Sequence, residues 1–190
     1  MLQEAKQQTG ARCLLMEANY LGLRAESFDV ALSTFILQHV PDPERVFREV
    51  LRTLRPGGVI GLASWGAKDN MPASAIWVEE LDREGADEDP RPDENYRELV
   101  DAPDKVEQLL HAAGFDSIRS WAEMGHIPWG RDDLMSSQAT VCAPSRCLRT
   151  LSPEHQAACA ARVRRRVEAL SDDELTYRPE VILSVARRPA

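Results

Sequence analysis

Residues 28–65 read FDVALSTFILQHVPDPERVFREVLRTLRPGGVIGLASW. Phe28 to Phe35 is an apolar run of strand length, broken only by Asp29 near its start. Ser33 and Thr34 end it, and Ile36-Leu37-Gln38-His39-Val40 leads into Pro41-Asp42-Pro43. Asp42 can accept hydrogen bonds from the free N–H groups of a first helical turn, and Pro43 suits the first helical position. Val46, Phe47, Val50, Leu51 and Leu54 then fall on one helical face, with Arg45, Arg48, Glu49 and Arg52 on the other. Pro56-Gly57-Gly58 reads as the stop of that helix, and Val59 to Trp65 as a second apolar strand. The stretch is therefore one βαβ unit.

Working outward, residues 1–9 resemble the tail of a helix stopped at Gly10. Arg12 to Met16 (RCLLM) is predicted to be a short buried strand with Glu17-Ala18-Asn19 at its C-terminal end. Beyond Trp65, residues 66–101 are rich in Gly, Pro and acids, with a short helix at Ala75 to Leu81 and an acidic loop around 79–94. Asp101-Ala102-Pro103 opens a helix with Val106, Leu109, Leu110 and Ala113 on its apolar face and Gly114 as its stop. Ile118 to Met124 reads as a strand. Residues 125–152 read as irregular, with a short helix near Leu134. Ser152 and Pro153 start a helix that runs to Leu170, whose ARVRRRV stretch reads as a solvated face. Val181 to Ala186 is a final apolar strand.

Strands alternate with helices, so the class is α/β with a largely parallel sheet, and ligands are expected at the C-terminal ends of its strands. A chain of 190 residues can bury one full core, and a single domain with insertions at 66–101 and 125–180 is expected. The formal net charge of -8 argues against nonspecific nucleic-acid binding. No run approaches the roughly 18 apolar residues of a membrane span. The N-terminus MLQEAKQQTG has no apolar signal core, which leads to an expected cytoplasmic location. Cys13, Cys142, Cys147 and Cys159 are too scattered for a disulfide framework. Cys142, Cys147, His155 and Cys159 have a spacing that fits no common zinc module, so no metal is expected.

The run SFDVALSTFILQHVPDPERVFREVLRTLRPGG resembles the fourth strand, following helix and post-helix turn of class I S-adenosylmethionine-dependent methyltransferases of the small-molecule type. MEANYLGL is similar to the end of their third strand, and LLHAAGF and VILSVARRP to their closing segments. The resemblance implies a Rossmann-like sheet, S-adenosylmethionine as cofactor and a small-molecule acceptor. It implies that Glu17 receives the adenine amino group and that the Ala18 amide meets the adenine ring. Ser33, Thr34 and Phe35 then lie around the cofactor, and His39 lies beside the sulfonium, either as the base that takes the acceptor's proton or as a pocket-lining residue. His111, His126, Tyr20, Trp65 and Trp77 are weaker candidates for lining a site.

One departure stands out. The family carries a first strand, a Gly-rich loop and a second strand, all before the position of Met1, and no G-x-G occurs in this chain. A nucleotide loop follows a strand and opens a helix, whereas Gly57-Gly58 follows a helix and opens a strand. In the family's sheet those two strands lie between the strands that correspond to 12–16 and 28–35. Without them the two are about 14 Å apart at about 4.8 Å per strand, leaving unpaired edges. Three outcomes are open: the strands close up and pair, a homodimer or partner chain completes the sheet, or the sequence is part of a longer protein, which is the preferred expectation. A non-catalytic remnant acting as a binding module is the alternative to an active methyltransferase. A hydride-transferring enzyme of similar architecture is disfavoured by the same missing loop.

Overall fold

The computed structural model describes residues 2–68, 71–87, 95–140 and 143–190. It divides into two compact units, one made of Met1–Trp65, Asn95–Ala122 and Ile182–Ala190, the other of Gly66–Glu94 and Glu123–Val181.

In the first unit α1 (Leu2–Thr9) precedes β1 (Phe28–Thr34), a 3-10 turn (Leu37–His39), α2 (Pro43–Thr53) and β2 (Leu54–Trp65). Asp42 caps α2 by accepting the Arg45 N–H at 3.0 Å, with Pro43 in the first turn, as the sequence predicts. Val46 and Phe47 turn inward onto Leu54, Ile60 and Leu62. The βαβ unit is present, and β1 and β2 pair in parallel, Val30 with Val59 through Thr34 with Ala63.

The helix stop differs from expectation. Helix α2 ends at Thr53 and passes straight into an extended Leu54, so Pro56-Gly57-Gly58 lies inside β2. The ladder shifts register between Phe28 and Val30, beside these glycines. A Cβ on Gly58 would lie 2.9 Å from the Arg55 carbonyl oxygen and 3.2 Å from that of Asp29, so the backbones approach too closely for a side chain.

Helix α4 (Pro103–Ala113) ends on Gly114 in the left-handed region, φ 101. It packs Val106, Leu110 and Ala113 into the same core as α2. Strand β3 (Asp116–Met124) and the last strand, β6 (Glu180–Arg187), complete a four-stranded sheet in the order β1-β2-β6-β3. Ile182 and Ala186 of β6 are buried in this core.

The predicted buried strand at Arg12 to Met16 does not form. These residues are irregular, with Leu14 66% and Leu15 86% exposed. A lone strand has no ladder to satisfy its backbone. Strand β1 bonds to β2 alone, and among the described residues nothing pairs with its other edge. The two strands thus do not close up.

The second unit is mostly helical: α3 (Pro72–Glu84), α5 (Arg131–Thr140), α6 (Ala143–Leu148) and α7 (Pro153–Glu168), with a two-stranded antiparallel pair, β4 (Ile127–Pro128) and β5 (Thr176–Tyr177). Its core gathers Trp77, Leu81, Leu134, Cys159, Val163, Val167 and Leu175. Two expectations are corrected here. The short helix at 75–81 extends over Pro72–Glu84, and residues 125–152 carry, besides the expected helix around Leu134 (α5), a further helix, α6. The reason for the first is charge pairing. Glu80 accepts from Arg162 Nε at 2.7 Å and Arg166 at 2.9 Å, and Glu84 pairs with Arg162 and with His155 Nδ1 at 2.8 Å. Part of the acidic run is therefore helix, and the arginines of ARVRRRV that face it are partners, not a purely solvated face. The remainder of that run, residues 88–94, lies outside the described residues.

Candidate functional site

Charged residues of α2 hold in place the loop, residues 19–23, that forms one side of the site. Glu49 accepts the Leu21 N–H at 2.9 Å and holds Arg52 at 2.9–3.0 Å. Arg52 in turn donates to the carbonyls of Leu21 and Leu23, both at 2.8 Å. Arg45 donates to the Asn19 carbonyl at 3.3 Å, and its guanidinium lies 4.0 Å over the Tyr20 ring. Residues 19–23 are thereby fastened to α2 although they form no regular element. The hydrogen bond from the Arg52 guanidinium holds the Glu49 carboxyl below the ordinary carboxylate range; burial opposes it, and the Leu21 amide adds to the lowering.

At the C-terminal end of β1 the backbone turns sharply. Phe35 has φ 53, in the left-handed region that a bulky residue rarely adopts. Its N–H still donates to the Ala63 carbonyl at 2.8 Å, and its ring stacks on Trp65 with centroids 4.1 Å apart. Gln38 Nε2 donates to the Phe35 carbonyl at 2.8 Å and lies 3.3 Å from His39 Nε2. The His39 ring is otherwise exposed. Nearby, the buried Ser64 hydroxyl donates to the Val100 carbonyl at 2.8 Å.

A cleft of about 410 Å³ runs along β1 between that strand, α2 and residues 18–23. Its walls are mainly apolar, including Leu21, Leu23, Val30, Leu32 and Ile36, with Ser33 and Thr34 as polar groups. The size is that of a small-molecule site. Of the residues singled out from sequence, Ala18, Ser33 and Thr34 meet in this cleft. Glu17 is exposed and bridges to Tyr20, while Phe35 and His39 stand just past the strand end and are not among its walls. Asn19 Oδ1 and Gln38 Oε1 are buried without hydrogen-bond partners.

Sequence reasoning missed Gln38 and the Glu49–Arg52 clamp. The signal for the clamp was an acid three residues before an arginine on the polar face of α2, which reads as a solvated pair until the loop lying on it is seen. His111 and His126 are exposed, and Trp77 is buried in the second unit's core. Cys142 lies outside the described residues, Cys159 is buried, and His155 is held by Glu84.

Residues 1–62 match the model of the family described as "Methyltransferase domain". The chain is 36% identical over 61 residues to a phosphatidylethanolamine N-methyltransferase of Cereibacter sphaeroides, covering 32% of this chain and 30% of that protein. It is 31% identical over 101 residues to a ubiquinone biosynthesis O-methyltransferase of Rhizobium rhizogenes, covering 53% of this chain and 39% of that one. It thus spans well under half of the length of these relatives. Among solved structures, the YcgJ protein of Bacillus subtilis superposes with a TM-score of 0.56 over 99% of this chain and 76% of its own, at 16% identity. At that identity the likeness is one of fold.

Proposed function

We propose that this chain, whose residues 1–62 belong to the class I S-adenosylmethionine-dependent methyltransferase family, binds S-adenosylmethionine and takes part in methyl transfer to a small-molecule acceptor. The observation that carries the reading is the meeting of Ala18, Ser33 and Thr34 in one apolar cleft beside the C-terminal end of β1. Such an end is where open α/β sheets take their ligands. The two segments 66–101 and 125–180 are read as insertions that supply the helical second unit. The protein is read as acting in the cytoplasm. No described helix is long and apolar enough to cross a membrane.

The residues fit part of the cofactor. Asn19 Oδ1 and Gln38 Oε1 are buried acceptors without partners and lie outside the cleft walls; the adenine amino group and ribose hydroxyls are donors that would satisfy them only after a side-chain rotation. Glu17 is an exposed carboxylate next to Ala18, suited to the adenine amino group. The methionine side has no comparable holder among the described residues. The Gly57 N–H already donates to the Arg188 carbonyl, and the Gly58 carbonyl accepts the Arg188 N–H.

When bound, S-adenosylmethionine supplies an electrophilic methyl group on a sulfonium. The chain's part is to position the two reactants and exclude water, which the apolar walls of the cleft serve. His39 is read as the group that takes a proton from the acceptor. With Gln38 Nε2 as a donor at 3.3 Å, His39 Nε2 is the unprotonated nitrogen, the form a base requires. To accept a proton there, the ring must turn away from Gln38.

A second reading, a non-catalytic binding module, is favoured by the exposed outer edge of β1. The two are separated by blocking the cleft. Ala18→Trp should abolish S-adenosylmethionine binding while leaving the circular dichroism spectrum unchanged. Binding that survives this substitution would place the cofactor elsewhere and sink the proposed site.

A further inference from the structure

Gln38 is 7% exposed, and its side chain makes two contacts from one nitrogen. Nε2 donates to the Phe35 carbonyl at 2.8 Å and stands 3.3 Å from His39 Nε2. Oε1 is buried and has no partner. Turning the amide over is unfavourable. A carbonyl oxygen only accepts, so a Gln38 oxygen in the place of Nε2 would set two acceptors 2.8 Å apart. The group facing Phe35 is therefore the NH2, and its second hydrogen is the one available to His39. A donor there makes His39 Nε2 an acceptor, so the proton of the neutral ring sits on Nδ1. Among the described residues His39 Nδ1 has no partner, so Gln38 alone selects the tautomer.

The backbone holds Gln38 in this pose. Phe35 sits at φ 53, and its two polar groups take different partners: the N–H donates to the Ala63 carbonyl of β2 at 2.8 Å, and the carbonyl accepts from Gln38. A left-handed conformation is costly for a bulky residue and persists where the surrounding contacts over-determine it. The turn that follows is closed by the His39 N–H on the Ile36 carbonyl at 3.0 Å and the Val40 N–H on the Leu37 carbonyl at 3.1 Å. The Gln38 carbonyl accepts the Tyr96 N–H at 2.7 Å, which ties the turn to a segment distant in sequence. Leu37, fully buried, anchors it in the core.

We propose that Gln38 is a positioning residue for His39: anchored on the Phe35 carbonyl, its amide keeps the His39 ring in the Nδ1–H tautomer, with the lone pair on Nε2. What this does for catalysis rests on the reading of His39 as the group that takes the acceptor's proton; the tautomer itself does not. A proton acceptor needs its lone pair in place before the proton is offered. Turning an exposed ring is a ps–ns motion and moves no proton, so a His39 ring that leaves Gln38 presents Nε2 still unprotonated. Gln38 keeps its bond to Phe35 meanwhile, and the ring returns to the same partner once its proton has passed to solvent.

The test is nitrogen-15 NMR of the imidazole rings in the 190-residue chain without cofactor, at a pH of about 8.5, where histidine side chains are ordinarily neutral. The chain has four histidines, and the signals lost in His39→Gln assign the ring. In the parent, His39 Nε2 should resonate as an unprotonated nitrogen and Nδ1 as a protonated one. Gln38→Met, of similar length but without a donor, should lower the ratio of Nδ1–H to Nε2–H by about two- to tenfold, the worth of one ordinary hydrogen bond. Gln38→Glu, whose carboxylate only accepts, should make Nε2–H the major form. A merely structural loss would disturb many signals without exchanging the nitrogen that carries the proton. Should both variants fail to fold, the parent spectrum decides. Nε2–H as the major form in the parent, or a tautomer ratio that neither substitution moves, would overturn the proposal. The readout needs neither cofactor nor turnover. A chain with the Nδ1–H ring that transfers no methyl group would support this tautomer and count against the role read for His39.

Discussion

The Phe35 ring lies 4.1 Å from that of Trp65, centroid to centroid, and the backbone of Phe35 sits in the left-handed region at φ 53 to put it there. Two opposed effects meet in one residue: the stack stabilises the turn and the backbone conformation costs. Phe35→Ala loses the stack and keeps the strain, and should destabilise the first unit by about 1–3 kcal/mol. Phe35→Gly loses the stack and relieves the strain, and should be about 1 kcal/mol more stable than the alanine variant. Urea denaturation of the two variants measures the difference.

The Glu49 clamp ties residues 19–23 to α2 in a pH-dependent way. Its carboxyl is held below the ordinary range in the folded chain by Arg52 and the Leu21 amide. A depressed folded pKa gives stability that is fully present above the unfolded value, about 4.3, and is lost as the pH falls through the lower folded value. The loop should therefore loosen below about pH 4, and Glu49→Gln should loosen it at neutral pH. Hydrogen exchange of the Leu21 amide reads both.

In the second unit Glu80 is nearly buried and accepts from both Arg162 and Arg166, and its carboxyl is lowered chiefly by the hydrogen bond from Arg162. Glu80→Gln removes the charge that these guanidiniums bind and should cost about 1.5–3 kcal/mol. The same sign applies as for Glu49, so the parent's advantage over this variant should shrink as acid protonates Glu80. Thermal unfolding of parent and variant at neutral pH and near pH 3 checks both.

Gly58 leaves no room for a side chain beside the Arg55 and Asp29 carbonyls. Gly58→Ala should cost about 1–3 kcal/mol and disturb the start of the β1–β2 ladder. Gly57, with φ 76 and open space around its Cβ position, should suffer mainly from the backbone strain of Gly57→Ala, about 1–2 kcal/mol. Chemical denaturation of the two variants separates clash from strain.

His39 supplies a test of the catalytic reading. With the acceptor's proton passing to this ring, His39→Gln should lower the turnover of methyl transfer by about 10²–10⁴ and leave cofactor binding unchanged. Equal loss of both would make His39 a wall of the site, not a base.

Much of the first unit was legible because its signals are local. Asp42-Pro43 starts α2, Gly114 ends α4, and the apolar spacing of Val106, Leu110 and Ala113 finds their common core. What was not legible depends on partners distant in sequence. RCLLM has the composition of a buried strand, but a strand exists only beside another, and among the described residues none pairs with it. The acids near Glu80 and the arginines near Arg162 each read as solvent-facing runs, since neither names the other across 82 residues. Within the site, Ser33 and Thr34 could be placed by their position at the end of β1, whereas Ala18 reaches the cleft although the strand expected before it does not form. Gln38 and the clamp of Glu49 and Arg52 needed the loop to be seen lying on α2.

The central claim, that this chain holds S-adenosylmethionine in the cleft along β1, is tested most directly by calorimetric titration of the folded 190-residue chain with that compound. The account predicts a saturable heat with a dissociation constant in the micromolar range, about 1–100 µM, lost in Ala18→Trp. No heat of binding from a sample that is folded by circular dichroism would contradict it, and the binding-module reading would then stand in its place.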